Sequence, residues 1–302
     1  MLHKSYTAVE FFSGIGAFGF AVAGNDAVRI VAAFDQNADA NAVYLHNFGL
    51  KPLSRNLDSI KAVDIPEADV WWLSPPCTPF SRRGKQLDTD DKRALAFLNL
   101  LALLPGFLPQ LVLLENVAGF IGSEAEALLI ETLTLCGYAW GRLLLCPSQF
   151  GIPCLRPRVF YAACRTDRFR VSFEEPVALV SAGEPLCSYL DAQPPESCIL
   201  SRDLQERYER SLDVIEDATL SQARTICFTS GYGRTMKAGG SFLRLIDGSL
   251  RRFSPEEIVR LLGFSPSFQF PSAISSRSAW RLAGNSVDIT CLRFLLRSVG
   301  LI

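Results

Sequence analysis

The chain has 302 residues, of which 49% are hydrophobic and 20% charged, with a formal net charge of -1. This balance suits a soluble globular protein with one large domain and a smaller one, and no global positive field announces nucleic acid, so any such binding must use local patches. Nine cysteines without a Cys-x-x-Cys pair argue against a disulfide framework and a zinc ribbon, and two histidines argue against a His-based triad or a multi-His metal site. Met1 to Tyr6 is short and polar rather than a signal segment, and the expectation is a reducing, cytoplasmic compartment.

In chain order, Ala8 to Phe12 reads as a first strand, followed by Ser13-Gly14-Ile15-Gly16-Ala17-Phe18-Gly19. Glycines between a strand and a helix allow a tight turn and close approach of backbone to a ligand, although plain turns share this signal. Arg29 to Phe34 reads as a second strand ending at Asp35 and Gln36. An acid there can bind two ribose hydroxyls or cap the next helix, Asn37 to Asn47, and both can hold together. A short third segment ends at Leu57 and Asp58, with Asp58 placed to reach an adenine edge.

Ala68 to Leu73 is an apolar run that reads as a buried strand. Ser74-Pro75-Pro76-Cys77 stops it, because a proline pair cannot continue a sheet. One thiol therefore stands at the carboxyl end of a strand, and Arg82, Arg83 and Lys85 follow in a loop that favours its thiolate. A small buried hydrophobe is the other reading of Cys77. Ala94 to Leu114 raises the question of a membrane span, but Pro105, Gly106 and Pro109 break it into a helix, Lys92 to Leu104, a turn and a strand. That strand ends in Glu115-Asn116-Val117, and burying a carboxylate is costly enough that Glu115 is rarely filler.

Leu143 to Leu145 and Val159 to Ala163 look like a closing hairpin. Between them Arg156 and Arg158, one residue apart in extended chain, point the same way, as functional cations or as surface arginines. The pattern loosens from Arg165 to Gly248, with one helix expected over Asp203 to Glu216. Arg224, Arg234, Lys237, Arg244, Arg251 and Arg252 lie near Phe228, Tyr232 and Phe242, a mixture able to track a backbone and stack on bases, or a solvated loop region. Ser254-Pro255-Glu256-Glu257 starts a helix, and Gly284-Asn285-Ser286-Val287 is a late turn entering a final apolar helix. The expected fold is a doubly wound, mostly parallel α/β sheet.

Taken together and in this order, five motifs resemble those of the cytosine carbon-5 methyltransferases: Phe12-Ser13-Gly14-Ile15-Gly16, Pro75-Pro76-Cys77, Glu115-Asn116-Val117, Arg156-x-Arg158 and Gly284-Asn285-Ser286-Val287. Within that family the chain is most similar to the DNA methyltransferase homologue 2 branch, through Ser74 to Phe80, Gly151-Ile152-Pro153 and Cys227-Phe228-Thr229-x-Gly231-Tyr232-Gly233. Thr78 replaces a usual Gln, Ala17 replaces a second Gly, and the recognition region is short. None of these departures removes a group that the reaction needs.

The resemblance implies a Rossmann-like S-adenosylmethionine-dependent methyltransferase sheet, with catalysis in 1–164, a target-recognition region in 165–248 and a return in 249–302. It implies Cys77 as nucleophile, Glu115 on the ring nitrogen and amine, Arg158 on the ring carbonyl, and Arg156 orienting the catalytic loop or the carboxylate. The cofactor would lie on Ser13, Gly14, Ile15, Gly16, Ala17 and Phe18, with Asp35, Gln36, Leu57, Asp58, Ser74, Asn285 and Ser286 around it. Arg82, Arg83, Lys85, Cys227, Phe228, Thr229, Tyr232, Arg234 and Lys237 would meet the substrate. That substrate is the anticodon stem-loop of a transfer RNA, typically the aspartate one, with DNA a weaker alternative. The expected protein is a monomer that needs no metal and no membrane. A catalytically silent nucleic-acid-binding module conflicts with the intact Cys77 and Glu115, and a nicotinamide oxidoreductase explains only the glycine turn.

Overall fold

Short apolar runs ending at Phe34, Leu73 and Leu114 become strands, whereas the longer run over 95–107 becomes a helix. The computed structural model describes residues 5–77, 92–174, 183–237 and 239–302. The order begins β1 (Tyr6–Phe11), α1 (Ala17–Val22), β2 (Val28–Phe34), α2 (Ala38–Phe48), β3 (Val70–Leu73) and α3 (Leu95–Phe107). It continues with β4 (Leu111–Val117), α4 (Glu124–Leu135), β5 (Ala139–Leu145), β6 (Cys154–Leu155) and β7 (Arg158–Cys164). Beyond the loosened region come α5 (Arg202–Tyr208), β8 (Asp213–Ile215), β9 (Thr225–Ile226), β10 (Ser241–Arg244) and β11 (Leu250–Arg252). The last three elements are α6 (Pro255–Leu261), α7 (Ser276–Asn285) and α8 (Ile289–Val299).

The chain divides into two units, the first comprising 1–145, 157–175 and 291–302 and the second 146–156 and 176–290. This differs from the division expected from motif order, since 146–156 and most of 249–302 fall in the second unit. In the first unit six strands form one sheet in the order β2-β1-β3-β4-β7-β5. The pairs among β2, β1, β3 and β4 are parallel, and β7 runs antiparallel to both β4 and β5. Period-two alternation puts Val9, Phe11, Trp71, Leu73, Val112, Leu114, Val159 and Tyr161 into one buried cluster with Phe97, Leu100, Leu104, Leu129 and Leu133 of α3 and α4. Among the described residues no helix is long and apolar enough to cross a membrane.

Three local expectations change. The helix over 92–104 extends through Pro105 to Phe107. Pro105 lies inside the helix and gives up the N–H bond to the Leu101 carbonyl, and Leu108 ends the helix at φ 48° with its N–H bonded to the Leu104 carbonyl. No third strand precedes Asp58; Leu53 makes one isolated bridge to Phe34. The helix expected over 203–216 stops at Tyr208, and Asp213–Ile215 instead pairs in parallel with Ser241–Leu243. Val214 and Ile215 are β-branched, and sheet pairing outweighs the helical propensity of their neighbours.

The second unit holds a three-stranded sheet, β11-β10-β8, and a two-stranded one, β6-β9. Ser254 caps α6 in a reciprocal capping box with Glu257, as its sequence predicts. Glu257 is fully buried and accepts two hydrogen bonds from Arg251, at 2.8 and 2.9 Å.

On the sheet face of the first unit opposite the α3 and α4 cluster, Glu10 of β1 is fully buried, and neither carboxylate oxygen has a hydrogen-bond partner. The Tyr44 hydroxyl and the Gly19 N–H lie beside it without closing to hydrogen-bond geometry, and burial pushes the carboxyl up to about 8. The folded chain thus keeps a proton that the unfolded chain releases above pH 4.5, the ordinary value. This contribution to stability is complete below that value and declines as pH rises toward 8. Glu10→Gln keeps the shape and removes the titration. Urea denaturation at pH 5 and pH 8.5 is expected to show the wild type losing more stability with rising pH than the variant; parallel losses would refute a buried neutral Glu10.

Candidate active site

The first unit gathers three pieces of chemistry at the carboxyl ends of β1, β3 and β4. The glycine turn after β1 is built by Gly14 at φ 53° and Gly16 at φ 87°. The Ser13 N–H bonds the Phe34 carbonyl at 3.0 Å, and the Gly14 N–H bonds Asp35 Oδ2 at 2.8 Å. Asp35 Oδ1 accepts from the Asn37 N–H at 2.8 Å, while Asn37, not Asp35, caps α2. Burial raises the Asp35 carboxyl above its ordinary value, and the hydrogen bonds from Asn37 and Gly14 work against that rise. Each Asp35 oxygen keeps acceptor capacity for a second donor.

Ser13 Oγ is buried and has no hydrogen-bond partner among the described residues, and a Cβ built on Gly14 meets nothing within 4 Å. An orphaned hydroxyl, a bare turn and a neighbouring carboxylate fit a ligand that carries a ribose. Ile15 and Ala17 are buried beneath the turn, and Phe18 stacks on Trp72 with centroids 5.5 Å apart. A Cβ on Gly19 would lie 2.8 Å from the ring of Phe48, so α1 and α2 approach closely here.

At the outer end of the same edge, Gln36 Nε2 bonds Asn56 Oδ1 at 2.6 Å, and Asn56 Oδ1 accepts the N–H of the exposed Asp58 at 3.0 Å. Leu57 turns the other way. It is 2% exposed and belongs to the core cluster, so only its backbone is available to a ligand.

The loop after β3 carries Cys77, which is half-buried. All nine cysteines are thiols, and they differ in setting. Burial pushes Cys154 up to about 12 and Cys198 up to about 11, which makes both poor nucleophiles. The loop is held from two sides. Ser74 Oγ donates to the Phe12 carbonyl at 3.0 Å, and its N–H reaches the Phe11 carbonyl at 3.4 Å. Phe12 sits at φ 59°, an uncommon region for a bulky side chain, and the Ser74 bond helps hold it there. On the other side the buried Asn116 donates from Nδ2 to the Pro75 carbonyl at 3.4 Å and accepts the Val117 N–H at 2.8 Å. Ser74, expected against the cofactor, thus bonds backbone at the glycine turn. Asn116 was missed as a site residue; its signal was a second polar side chain at the end of an apolar strand.

Glu115 precedes Asn116 and is 7% exposed. Its Oε1 lies 3.2 Å from Arg158 Nε. Antiparallel register explains the contact, because Glu115 faces Phe160 and Val117 faces Arg158, so the two charged residues are diagonal neighbours on one face. Arg82, Arg83 and Lys85 lie outside the described residues.

The remaining expected residues fall in the second unit. Arg156 is 3% exposed. Its guanidinium donates to the carbonyls of Phe228 at 2.8 Å, Gly284 at 3.2 Å and Ser286, and to Cys227 Sγ at 3.2 Å. Pairing of β6 with β9, Cys154 opposite Thr225 and Leu155 opposite Ile226, delivers it there. Arg156 therefore staples the Cys227-Phe228-Thr229 segment to the Gly284-Asn285-Ser286 turn.

Phe228 and Tyr232, expected to stack on bases, are 3% and 0% exposed and form an aromatic core with Phe242 and Phe253. The Tyr232 hydroxyl donates to the Ser241 carbonyl and accepts the Phe253 N–H, which uses up its polar end. Arg251 is buried on Glu257, and Arg244 is held by Glu209 and Glu216. Thr229 and Cys227 are half-buried, while Arg224, Arg234, Lys237 and Asn285 are exposed.

Known proteins resemble the chain along its whole length. A family model described as C-5 cytosine-specific DNA methylase matches residues 6–300. A tRNA (cytosine(38)-C(5))-methyltransferase of Spodoptera frugiperda is 31% identical, covering 97% of this chain and 98% of the relative. One of Schizosaccharomyces pombe is 30% identical, covering 97% and 96%. The solved structure of the Entamoeba histolytica methyltransferase EhMeth superposes with a TM-score of 0.86 at 26% identity, covering 98% of each chain.

Removing Arg158 leaves a buried carboxylate without its neighbouring guanidinium, a change that costs about 3–5 kcal/mol at buried pairs. Arg158→Ala is expected to lose stability on that scale in urea denaturation, and adding Glu115→Gln should restore much of it. Additive losses in the double variant would show that the two side chains do not act as a pair.

Proposed function

The chain belongs to the C-5 cytosine-specific DNA methylase family, and on that premise we propose that it methylates carbon 5 of a cytosine in the anticodon loop of a transfer RNA, using S-adenosylmethionine. The observation that carries the chemistry is the bond from Asn116 to the Pro75 carbonyl. It ties the strand end bearing Glu115 to the loop bearing Cys77, so an acid and a thiol serve one substrate ring. The choice of RNA rests on relatives named for cytosine 38 of tRNA, and the aspartate transfer RNA is our first candidate.

Carbon 5 of cytosine is a weak nucleophile because the ring is aromatic. The Cys77 thiolate adds to carbon 6, and the electron pair of the carbon 5–carbon 6 double bond moves onto carbon 5. Glu115 shares a proton with the ring nitrogen as charge builds there, a contribution of about 10²–10⁴-fold. Arg158, 3.2 Å from that carboxyl, holds it in place and would steady the ring carbonyl. S-adenosylmethionine, when bound, supplies the electrophilic methyl group. Ser13, Gly14 and Asp35 are the residues that would hold it, with Asp35 on the ribose and Asp58 toward the adenine. The carbon 5 proton then leaves to solvent, its electron pair re-forms the double bond, and Cys77 departs as a thiolate. A flipped base costs less to extrude from a loop than from a duplex. Nine thiols suit a cytoplasmic setting, and we take the monomer as the working unit.

Cys77→Ala should abolish methyl transfer and leave S-adenosylmethionine affinity within about twofold. Glu115→Gln should lower kcat by two or more orders of magnitude with little change in KM. Labelled-methyl assays measure both, and turnover by the alanine variant would remove the covalent route. Substrate choice is read by bisulfite sequencing of transfer RNA and duplex DNA after incubation with enzyme and cofactor. We expect one converted-resistant cytosine in an anticodon loop; resistance at a fixed DNA sequence with transfer RNA unchanged would assign the protein to DNA.

A further inference from the structure

The second unit contains two long stretches without a single acid, between Asp217 and Asp247 and between Glu257 and Asp288. The fold packs one against the other. A Cβ added to Gly233 would lie 2.7 Å from the Trp280 ring, and one added to Gly284 would strike the Thr229 carbonyl. The Thr229–Thr235 turn therefore rests directly on α7. Trp280 is buried, and its indole N–H donates to the Phe253 carbonyl at 2.8 Å, which fixes the rotation of the helix.

That rotation leaves Arg277 and Arg281, four residues apart on one helical face, exposed. Arg234 adjoins the glycine that touches Trp280, and Lys237 follows it on the same turn, both exposed. Arg224, Arg234, Lys237 and Arg277 enter no ion pair among the described residues, in contrast to Arg244, Arg251 and Arg260, each held by an acid. A chain with net charge -1 has here concentrated cations and removed every acid from the two segments that carry them.

We propose that α7 is a phosphate-binding element, in which Arg277 and Arg281 extend the Arg224, Arg234 and Lys237 surface into a ridge that tracks the backbone of an RNA stem. The proposal rests on the transfer RNA reading above and adds to it the half of the surface that motif order did not suggest. Phe228, Tyr232, Phe242, Phe253 and Trp280 are buried, so the ridge works by charge and not by stacking on these rings. It follows that recognition here is insensitive to stem sequence and steeply sensitive to salt.

Binding of an anticodon stem-loop RNA across a salt series tests this with Arg277→Ala, Arg234→Ala, the double variant and Arg207→Ala, an exposed arginine outside both segments. Each of the first two should make the salt slope shallower by about one unit, the double by about two, and Arg207→Ala should leave it unchanged. Melting temperature and S-adenosylmethionine affinity should not move, which separates lost contacts from lost folding. An unchanged slope for Arg277→Ala, in an enzyme that still methylates transfer RNA, would overturn the ridge. An equal loss of duplex DNA binding would overturn RNA as its occupant. A wild type that methylates no transfer RNA counts against the functional reading instead.

Discussion

Two successive prolines end β3, and everything at the active site depends on how the chain copes with them. Pro75 and Pro76 have no N–H to offer, so the loop that carries Cys77 cannot be held by a ladder of its own donors. It must be gripped by donors from elsewhere. Ser74 reaches the Phe12 carbonyl on one side, and Asn116 reaches the Pro75 carbonyl on the other. The grip makes three strand ends into one object: the glycine turn, the thiol loop and the acid share a few hydrogen bonds rather than merely lying close. Phe12 in its left-handed conformation is the strain that this arrangement tolerates.

The second unit follows a different logic. Its organising residue is Arg156, whose planar fork meets acceptors more than seventy and more than one hundred and twenty residues away in sequence, at Phe228 and at Gly284 and Ser286. Lysine has neither the donors nor the geometry for such a staple. Around it Phe228, Tyr232, Phe242 and Phe253 turn inward while Arg224, Arg234 and Lys237 are exposed, so rigidity and charge occupy opposite sides of the same short segments.

Much of the first unit was legible in the sequence because its signals are local. A glycine pair after a strand, prolines after a strand and a carboxylate ending a strand each announce themselves within ten residues. Glu115 and Arg158 could be named separately, but their diagonal contact depends on the register of β4 against β7, which no local pattern carries. Phe228 and Tyr232 misled for a related reason. Aromatic residues among arginines look alike whether they face solvent or a core, and only the pairing of β8, β10 and β11 decides. Asp213–Ile215 read as helix because α5 runs straight into it, and its partner strand lies 28 residues on, at Ser241. Leu57 stands at the expected place in the chain, but its side chain turns into the core, and because it lies in a turn no strand alternation announces which way it points.

The closeness of Gly19 to the Phe48 ring has a consequence for how this sequence can drift. Space that glycine leaves vacant is already filled by a phenyl ring from α2, so the two positions are not independent. A methyl group at position 19 demands a smaller residue at 48, and a smaller residue at 48 alone opens a void behind the glycine turn. Descendants of this chain can cross from one pairing to the other only through a destabilised intermediate. Position 16 is less open to that route, because its backbone at φ 87° strains any side chain whatever stands at 48.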